Sequence, residues 1–284
     1  MALDESRPRP RRSLLYVPAS NARALVKARE LACDGVILDL EDSVAPEAKD
    51  QARAAAAAAV AEGFGDREVV VRCNGLDTPW GAADLDALAE AEPDAVLAPK
   101  VSSAAEVKAY DRALDGRTRL WVMVETAPAV LNLGEISGCA AGTRLEAMVL
   151  GPNDLSAELR LKGPIARAGL RTALFQMNLA ARAHGLGAIG GVYNSIEDAA
   201  GFEAECAEEA GLGLDGKTLI HPAQIEAANR IFSPSPEELA WARAVVAAFA
   251  APGAAGQGAI RLEGRMIERL HLEQAQRALA MARG

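Results

Sequence analysis

The strongest constraint in this chain is a rhythm. Short apolar runs recur about every 30 residues, separated by Ala-, Glu- and Arg-rich stretches that favour helix. The runs are SLLYVP (13–18), GVILDLE (35–41), EVVVRCN (68–74), AVLAPKV (95–101), RLWVMVETA (119–127), LEAMVLGPND (145–154), GLGAIGGVYN (185–194) and GKTLIHP (216–222). Their interiors carry almost nothing polar, as expected of strands buried on both faces. Stretches such as PEAKDQARAAAAAAVAEG read as the helices that cover them. Eight such units predict an α/β fold closed as a (β/α)8 TIM barrel, with an open doubly wound sheet as the second choice.

Polar residues gather where the runs end. Asp39, Glu41 and Asp42 follow the second run, Arg72 and Asn74 the third, Lys100 the fourth and Glu125 the fifth. Asn153 and Asp154 follow the sixth, Tyr193 and Asn194 the seventh, and His221 the eighth. In a barrel these ends converge on one rim, where this fold builds its active sites. A single acid at a strand end is usually a cap or a loop salt bridge. Repetition around the ring points instead to a shared site.

Three acids within four positions, Asp39 to Asp42, cost stability unless a cation or a substrate offsets them. The rim offers carboxylates from several strands, at least one arginine, one histidine and no cysteine. Oxygen ligands of that kind suit a hard divalent cation such as Mg²⁺, which takes few protein ligands and leaves positions for water and substrate. Glu125 and Asp154, on neighbouring strands, form the natural pair. Arg72 is the fork for a substrate carboxylate. A metal and an arginine facing one small acid make a device that stabilises an enolate.

The remaining composition narrows the partners. A formal charge of −9 argues against nucleic acid or an anionic membrane as the main partner. No apolar run approaches the roughly 20 residues that span a bilayer. Cys33, Cys73, Cys139 and Cys206 stand far apart with no CxxC pair, which fits reduced thiols in a cytoplasm. The N-terminal MALDESRPRPRR has no apolar core and is no secretory signal. Its Arg7–Arg12 stretch reads as a solvated tail or as a phosphate-seeking arm. GLGAIG (185–190) satisfies G-x-G-x-x-G but leads into a strand rather than a helix, so it reads as a turn and not a dinucleotide site. His184 reads as structural, and His221 as either a brace of the rim or part of its chemistry. Trp80, Trp121 and Trp241 read as core or interface residues.

From Arg12 to about Ala280 the chain resembles the citrate lyase β-subunit-like group of CoA-ester lyases within the HpcH/HpaI aldolase superfamily, which includes malyl-CoA and citramalyl-CoA lyases. The markers are RRSLLYVPAS, DGVILDLEDSV followed by K-x-x-x-R, VVVRCNG, LAPKVSS, VMVETA, LGPNDL and GKTLIHPAQIEAANRIFSPS. The resemblance implies a TIM barrel, Mg²⁺ (or Mn²⁺), and reversible carbon–carbon cleavage of a 3-hydroxyacyl-CoA to a CoA thioester and a 2-oxo acid. It implies that Glu125 and Asp154 match the metal ligands and Arg72 the substrate carboxylate binder. Asp39, Glu41 and Asp42 match a cluster that orders water and the pocket floor, Asp39 and Glu41 counted with the catalytic groups and Asp42 with the substrate contacts. Tyr16, Pro18, Arg23 and Lys27 are the candidate CoA contacts. Arg23 and Lys27, four apart on one helical face, meet phosphates or form a solvated basic face. Lys49 and Arg53 repeat that spacing.

The barrel is expected over residues 1–250, with 1–12 as the basic tail. A linker, APGAAGQGA (251–259), then leads into an amphipathic helical extension that reaches residue 284 and carries Met266, Ile267 and Leu270. This segment resembles the tail that, in stand-alone relatives, covers a neighbouring subunit's site and supplies an acidic catalytic residue, implying a homotrimer or homohexamer. The usual Met-Ile-Asp is here Met266-Ile267-Glu268, which keeps the acid but moves its carboxylate by about one bond, roughly 1.5 Å. Three rival functions stand beside the lyase. They are thioester hydrolysis by a malyl-CoA thioesterase, a citrate lyase β subunit acting on an acyl-carrier protein, and a non-catalytic CoA-binding scaffold.

Overall fold

A computed structural model describes residues 9–114, 116–163, 166–254 and 256–282. Eight strands alternate with helices in the order the apolar runs predict. They are β1 (Ser13–Pro18), β2 (Gly35–Asp39), β3 (Glu68–Arg72), β4 (Ala95–Ala98), β5 (Arg119–Val124), β6 (Leu145–Leu150), β7 (Gly187–Gly190) and β8 (Gly216–Leu219). All pair in parallel and close β8 back onto β1, so the sheet is a barrel and not the open alternative. The helices of this part are α1 (Ala22–Ala28), α2 (Lys49–Glu62), α3 (Gly81–Ala91), α4 (Ala104–Ala113), α5 (Ala127–Leu131) and α6 (Leu133–Gly138). After them come α7 (Pro152–Glu158), α8 (Ala166–Ala183), α9 (Ala199–Gly211) and α10 (Ile225–Ile231).

Alternate strand residues fill the barrel. Leu14, Ile37, Val70, Leu97, Trp121, Met123, Val149 and Ile189 form one buried cluster, with Tyr16 packed against it. Several of the candidate strand runs extend past the last paired residue. GVILDLE stops pairing at Asp39 and LEAMVLGPND at Leu150, because the polar residues that follow turn out of the sheet into loops and helix starts.

The strands are also less purely apolar than the sequence suggests. Lys217 lies within β8 with no exposed surface, its Nζ 2.7 Å from Glu209 and 2.8 Å from Glu205, both on α9. Below the barrel, two residues of the basic N-terminal run are pinned rather than solvated. Arg11 bonds Glu68 and Glu146 and stacks 4.6 Å over the Trp121 ring, while Arg12 pairs with Asp34 at 2.7 Å. Residues 1–8, including Arg7, lie outside the described residues.

Two compact units divide the chain, one spanning Arg11–Asn229 and the other holding residues from Arg230 onward. The boundary expected after residue 250 therefore falls earlier, because α11 (Pro236–Ala250) packs with the C-terminal segment. That segment is also not one helix. β9 (Ala259–Leu262) and β10 (Arg265–Glu268) form an antiparallel hairpin, and only then does α12 (Arg269–Met281) begin. Ile267 on β10 is buried with Ala242 and Val245 of α11 and Ala275 of α12, whereas Met266 and Leu270 are exposed.

Candidate active site

The site grows from a register. In the β2–β3 pair Asp39 stands directly opposite Arg72, each at the last paired position of its strand. The Arg72 guanidinium meets Asp39 in a two-toothed pair, Nε to Oδ1 and Nη2 to Oδ2, both at 2.7 Å. Each Asp39 oxygen also accepts one backbone N–H, from Glu41 at 3.0 Å and Ser43 at 3.1 Å, so this carboxylate shapes the acidic loop. Burial alone would raise the Asp39 carboxyl; the Arg72 hydrogen bonds and charge, with the loop N–H groups, hold it below the usual range. The same arginine lies 4.9 Å over the Tyr16 ring, a cation–π contact.

The third Arg72 nitrogen is contested. Nη1 lies 3.0 Å from Glu41 Oε2, an ion-pair contact that leaves this buried oxygen without a hydrogen bond, and 3.6 Å from Asp42 Oδ2, with Met123 Sδ at 3.7 Å. The other Glu41 oxygen accepts from Lys100 Nζ, which is also 3.8 Å from Asp42. Desolvation raises the Glu41 carboxyl despite both cations. The cluster of Asp39, Glu41 and Asp42 is thus held by Arg72 and Lys100 together.

Beneath this loop is a staple that spacing alone hides. Lys49 matches the phosphate-contact pattern only in sequence. It is buried, and Nζ donates to the carbonyls of Leu40 (2.8 Å) and Glu41 (2.7 Å) and to Asn74 Oδ1 (2.7 Å). Its companion Arg53 bonds Asp84, which also accepts from the Asn74 backbone and side chain. Both therefore serve the rim from within.

Glu125, at the end of β5, is 1% exposed. Oε1 accepts the Lys100 backbone N–H at 2.8 Å, while Oε2 is buried with no hydrogen-bond partner. Burial first, then the Glu41 and Asp154 charges, pushes its carboxyl up to about 7. Asp154 sits in the first turn of α7, just beyond Gly151, whose absent side chain makes room for Glu125. An orphaned buried carboxylate oxygen that feels the charge of a second acid is what a divalent cation would satisfy, so the expected pair fits Mg²⁺ by donor type and by need. Among the described residues no three His, Cys, Asp or Glu side chains converge as a closed metal cage.

The structure brings Tyr16, Asp39, Glu41, Asp42, Arg72, Lys100 and Glu125 into one contact network. Pro18 pairs in register with Asp39, while Arg23 and Lys27 are solvent-exposed on α1. Tyr16 packs on the Arg72 guanidinium. His221 is exposed and caps the short turn that follows it, Nδ1 accepting the Ala223 N–H, and Gln224 ties this loop to the Tyr193 carbonyl. Glu268, in the C-terminal unit, is half-buried at the start of α12 with its backbone N–H on His271 Nδ1 at 3.0 Å.

The family described as HpcH/HpaI aldolase/citrate lyase matches residues 12–222. A (3S)-malyl-CoA thioesterase of Cereibacter sphaeroides is 48% identical over 274 residues, 96% of this chain and 95% of that protein. An L-malyl-CoA/beta-methylmalyl-CoA lyase of the same species is 34% identical over 299 residues, covering 94% and 93%. The crystal structure of CitE from Mycobacterium tuberculosis with magnesium, acetoacetate and coenzyme A superposes with a TM-score of 0.78. It is 34% identical and covers 97% of this chain and 98% of that one. The chain belongs to the HpcH/HpaI aldolase/citrate lyase family.

Proposed function

We propose that this protein is a Mg²⁺-dependent enzyme that hydrolyses the CoA thioester of a small hydroxydicarboxylic acid such as malate. The observation that carries the reading is the buried Glu125 Oε2 with no hydrogen-bond partner, on a carboxyl that feels the charges of Asp154 and Arg72. The choice of hydrolysis rests on the 48% identity to a malyl-CoA thioesterase across nearly the whole of both chains. In this reading Glu125 and Asp154 hold the cation. Arg72 binds the free carboxylate of the acyl group through Nη1, its other two nitrogens being fixed by Asp39. Mg²⁺ so held would supply Lewis-acid polarisation of the thioester carbonyl. Glu41 and Asp42 are the anions that Arg72 releases as the substrate carboxylate arrives.

Glu268 is assigned the acid–base role on a neighbouring copy of the chain, in a trimer or a multiple of one. The exposed apolar Met266 and Leu270 beside it support this, since burial on a neighbour removes their cost. Arg23 and Lys27 are assigned to the CoA phosphates as an exposed pair on α1. Four buried free thiols support a cytoplasmic location.

Carbon–carbon cleavage to a 2-oxo acid and a shorter CoA thioester is the second reading, favoured by the 34% identical lyase, and the same cation and arginine would stabilise its enolate. Product analysis with malyl-CoA tests both. Malate plus free CoA supports hydrolysis, glyoxylate plus acetyl-CoA supports the lyase, and turnover of neither sinks both.

A further inference from the structure

Arg72 cannot simply be waiting for a substrate. All three of its nitrogens already face carboxylates, two on Asp39 and one toward Glu41 and Asp42. Three acids share two cations here, Arg72 and Lys100. An incoming substrate carboxylate would be a fourth negative charge, and Glu41 must leave Nη1 for it to bind. Something has to hold the displaced anion.

Lys100 is built for that position. It follows β4 in a left-handed backbone conformation, φ 52°, which costs a residue with a side chain free energy and calls for a cause. The cause is visible at both ends of the residue. Its backbone N–H is fixed on Glu125 Oε1 at 2.8 Å, while its Nζ reaches back across the mouth to Glu41 Oε1 and stands 3.8 Å from Asp42 Oδ1. The side chain is 47% exposed, so it can follow a moving carboxylate, unlike the buried Arg72 at 9%. One residue thus ties the β5 carboxylate to the acidic loop after β2, spanning the arginine between them.

We propose that Lys100 is a positioning residue that takes over Glu41 and Asp42 when a substrate carboxylate displaces them from Arg72. The proposal rests on the reading of Arg72 as carboxylate binder. Lys100 itself touches neither the reacting atoms nor, through its side chain, Glu125.

Calorimetric titration of the Mg²⁺-loaded protein with malonate, a small dicarboxylate probe, tests this without turnover. Lys100→Gln should weaken malonate binding by about tenfold or more, Lys100→Arg should keep it within about threefold of wild type, and Mg²⁺ affinity should stay within about threefold in both. In assays with malyl-CoA the Gln variant should raise KM while kcat holds. The discriminating comparison is in a Glu41→Gln, Asp42→Asn background, where neither carboxylate holds Nη1. There Lys100→Gln should change malonate affinity by less than about threefold. An equal loss in both backgrounds would mean a plain charge effect and overturn the handover, as would wild-type binding by Lys100→Gln. If wild type and Arg72→Ala bind malonate equally, the Arg72 reading itself fails and takes this proposal with it. Should Lys100→Gln melt early, Lys100→Met, which keeps the stem, repeats the comparison.

Discussion

Gly151→Ala is a one-carbon probe of the metal site. Gly151 has φ −102°, a conformation open to any residue, so this glycine is required for room and not for backbone freedom. A Cβ built there would lie 2.3 Å from Glu125 Oε2, 2.4 Å from Glu125 Cβ and 3.0 Å from Met123 Cε. Carbon atoms rest at about 3.5–4.0 Å, so Glu125 must retreat by roughly 1 Å or more. It has little freedom to do so, being buried with Oε1 fixed on the Lys100 N–H. Overpacking of this kind costs about 1–3 kcal/mol of stability, whereas misplacing a functional group by about 1 Å can cost about a hundredfold in rate. The alanine protein should therefore fold, melt a few degrees lower, and lose both Mg²⁺ affinity by calorimetry and most of its turnover. Wild-type Mg²⁺ binding and kcat in that variant would refute the placement of Glu125 as a ligand.

The other consequences fall on different parts of the molecule. Lys49→Met leaves three buried acceptors without their shared donor, so it should cost about 3 kcal/mol or more in denaturant unfolding; a loss under about 1 kcal/mol would make the staple dispensable. Burial holds the Glu209 carboxyl up near about 7 against an ordinary 4.5, so the folded state keeps a proton that the unfolded chain gives up first. Its contribution is complete below the ordinary carboxylate range and is lost as pH rises through about 7; Glu209→Gln should therefore flatten the fall in Tm between those values, and parallel curves for the two proteins would contradict this. If Glu268 serves a neighbouring copy, mixing inactive Arg72→Ala with inactive Glu268→Ala subunits should restore part of the activity; no recovery despite demonstrated subunit exchange would break the shared-site reading.

The barrel and its rim were legible because both follow from local pattern. Runs buried on both faces mark parallel strands, and the same runs mark where their polar ends must meet, which is how Asp39, Arg72 and Glu125 could be read together. What the pattern cannot carry is the direction of a side chain beyond a strand end. Lys49 and Arg53 have the spacing of a surface basic face, yet Lys49 turns inward because the loop carbonyls of Leu40 and Glu41 need a donor. Lys100 is visible as a rim residue, but its left-handed backbone, and with it the bridge between Glu125 and Glu41, depends on tertiary contacts. The hairpin carries a local signal that competes with the helical pattern of the residues after it. Ala259-Ile260-Arg261-Leu262 alternates with period two, and Glu263-Gly264 forms a two-residue turn with both φ values positive, 49° and 78°. Lys217 has no such signal, since one lysine in an apolar run gives no hint of two glutamates on the helix before it.

The most direct test of the functional account is the fate of malyl-CoA turned over with Mg²⁺ in water enriched in heavy oxygen. Hydrolysis adds water across the thioester, leaving one heavy oxygen in the new malate carboxylate and releasing CoA as a free thiol. The account predicts that label, a matching thiol yield, and loss of both when Asp154→Asn replaces the native chain. Acetyl-CoA and glyoxylate in equal yield, with no labelled malate, would contradict it.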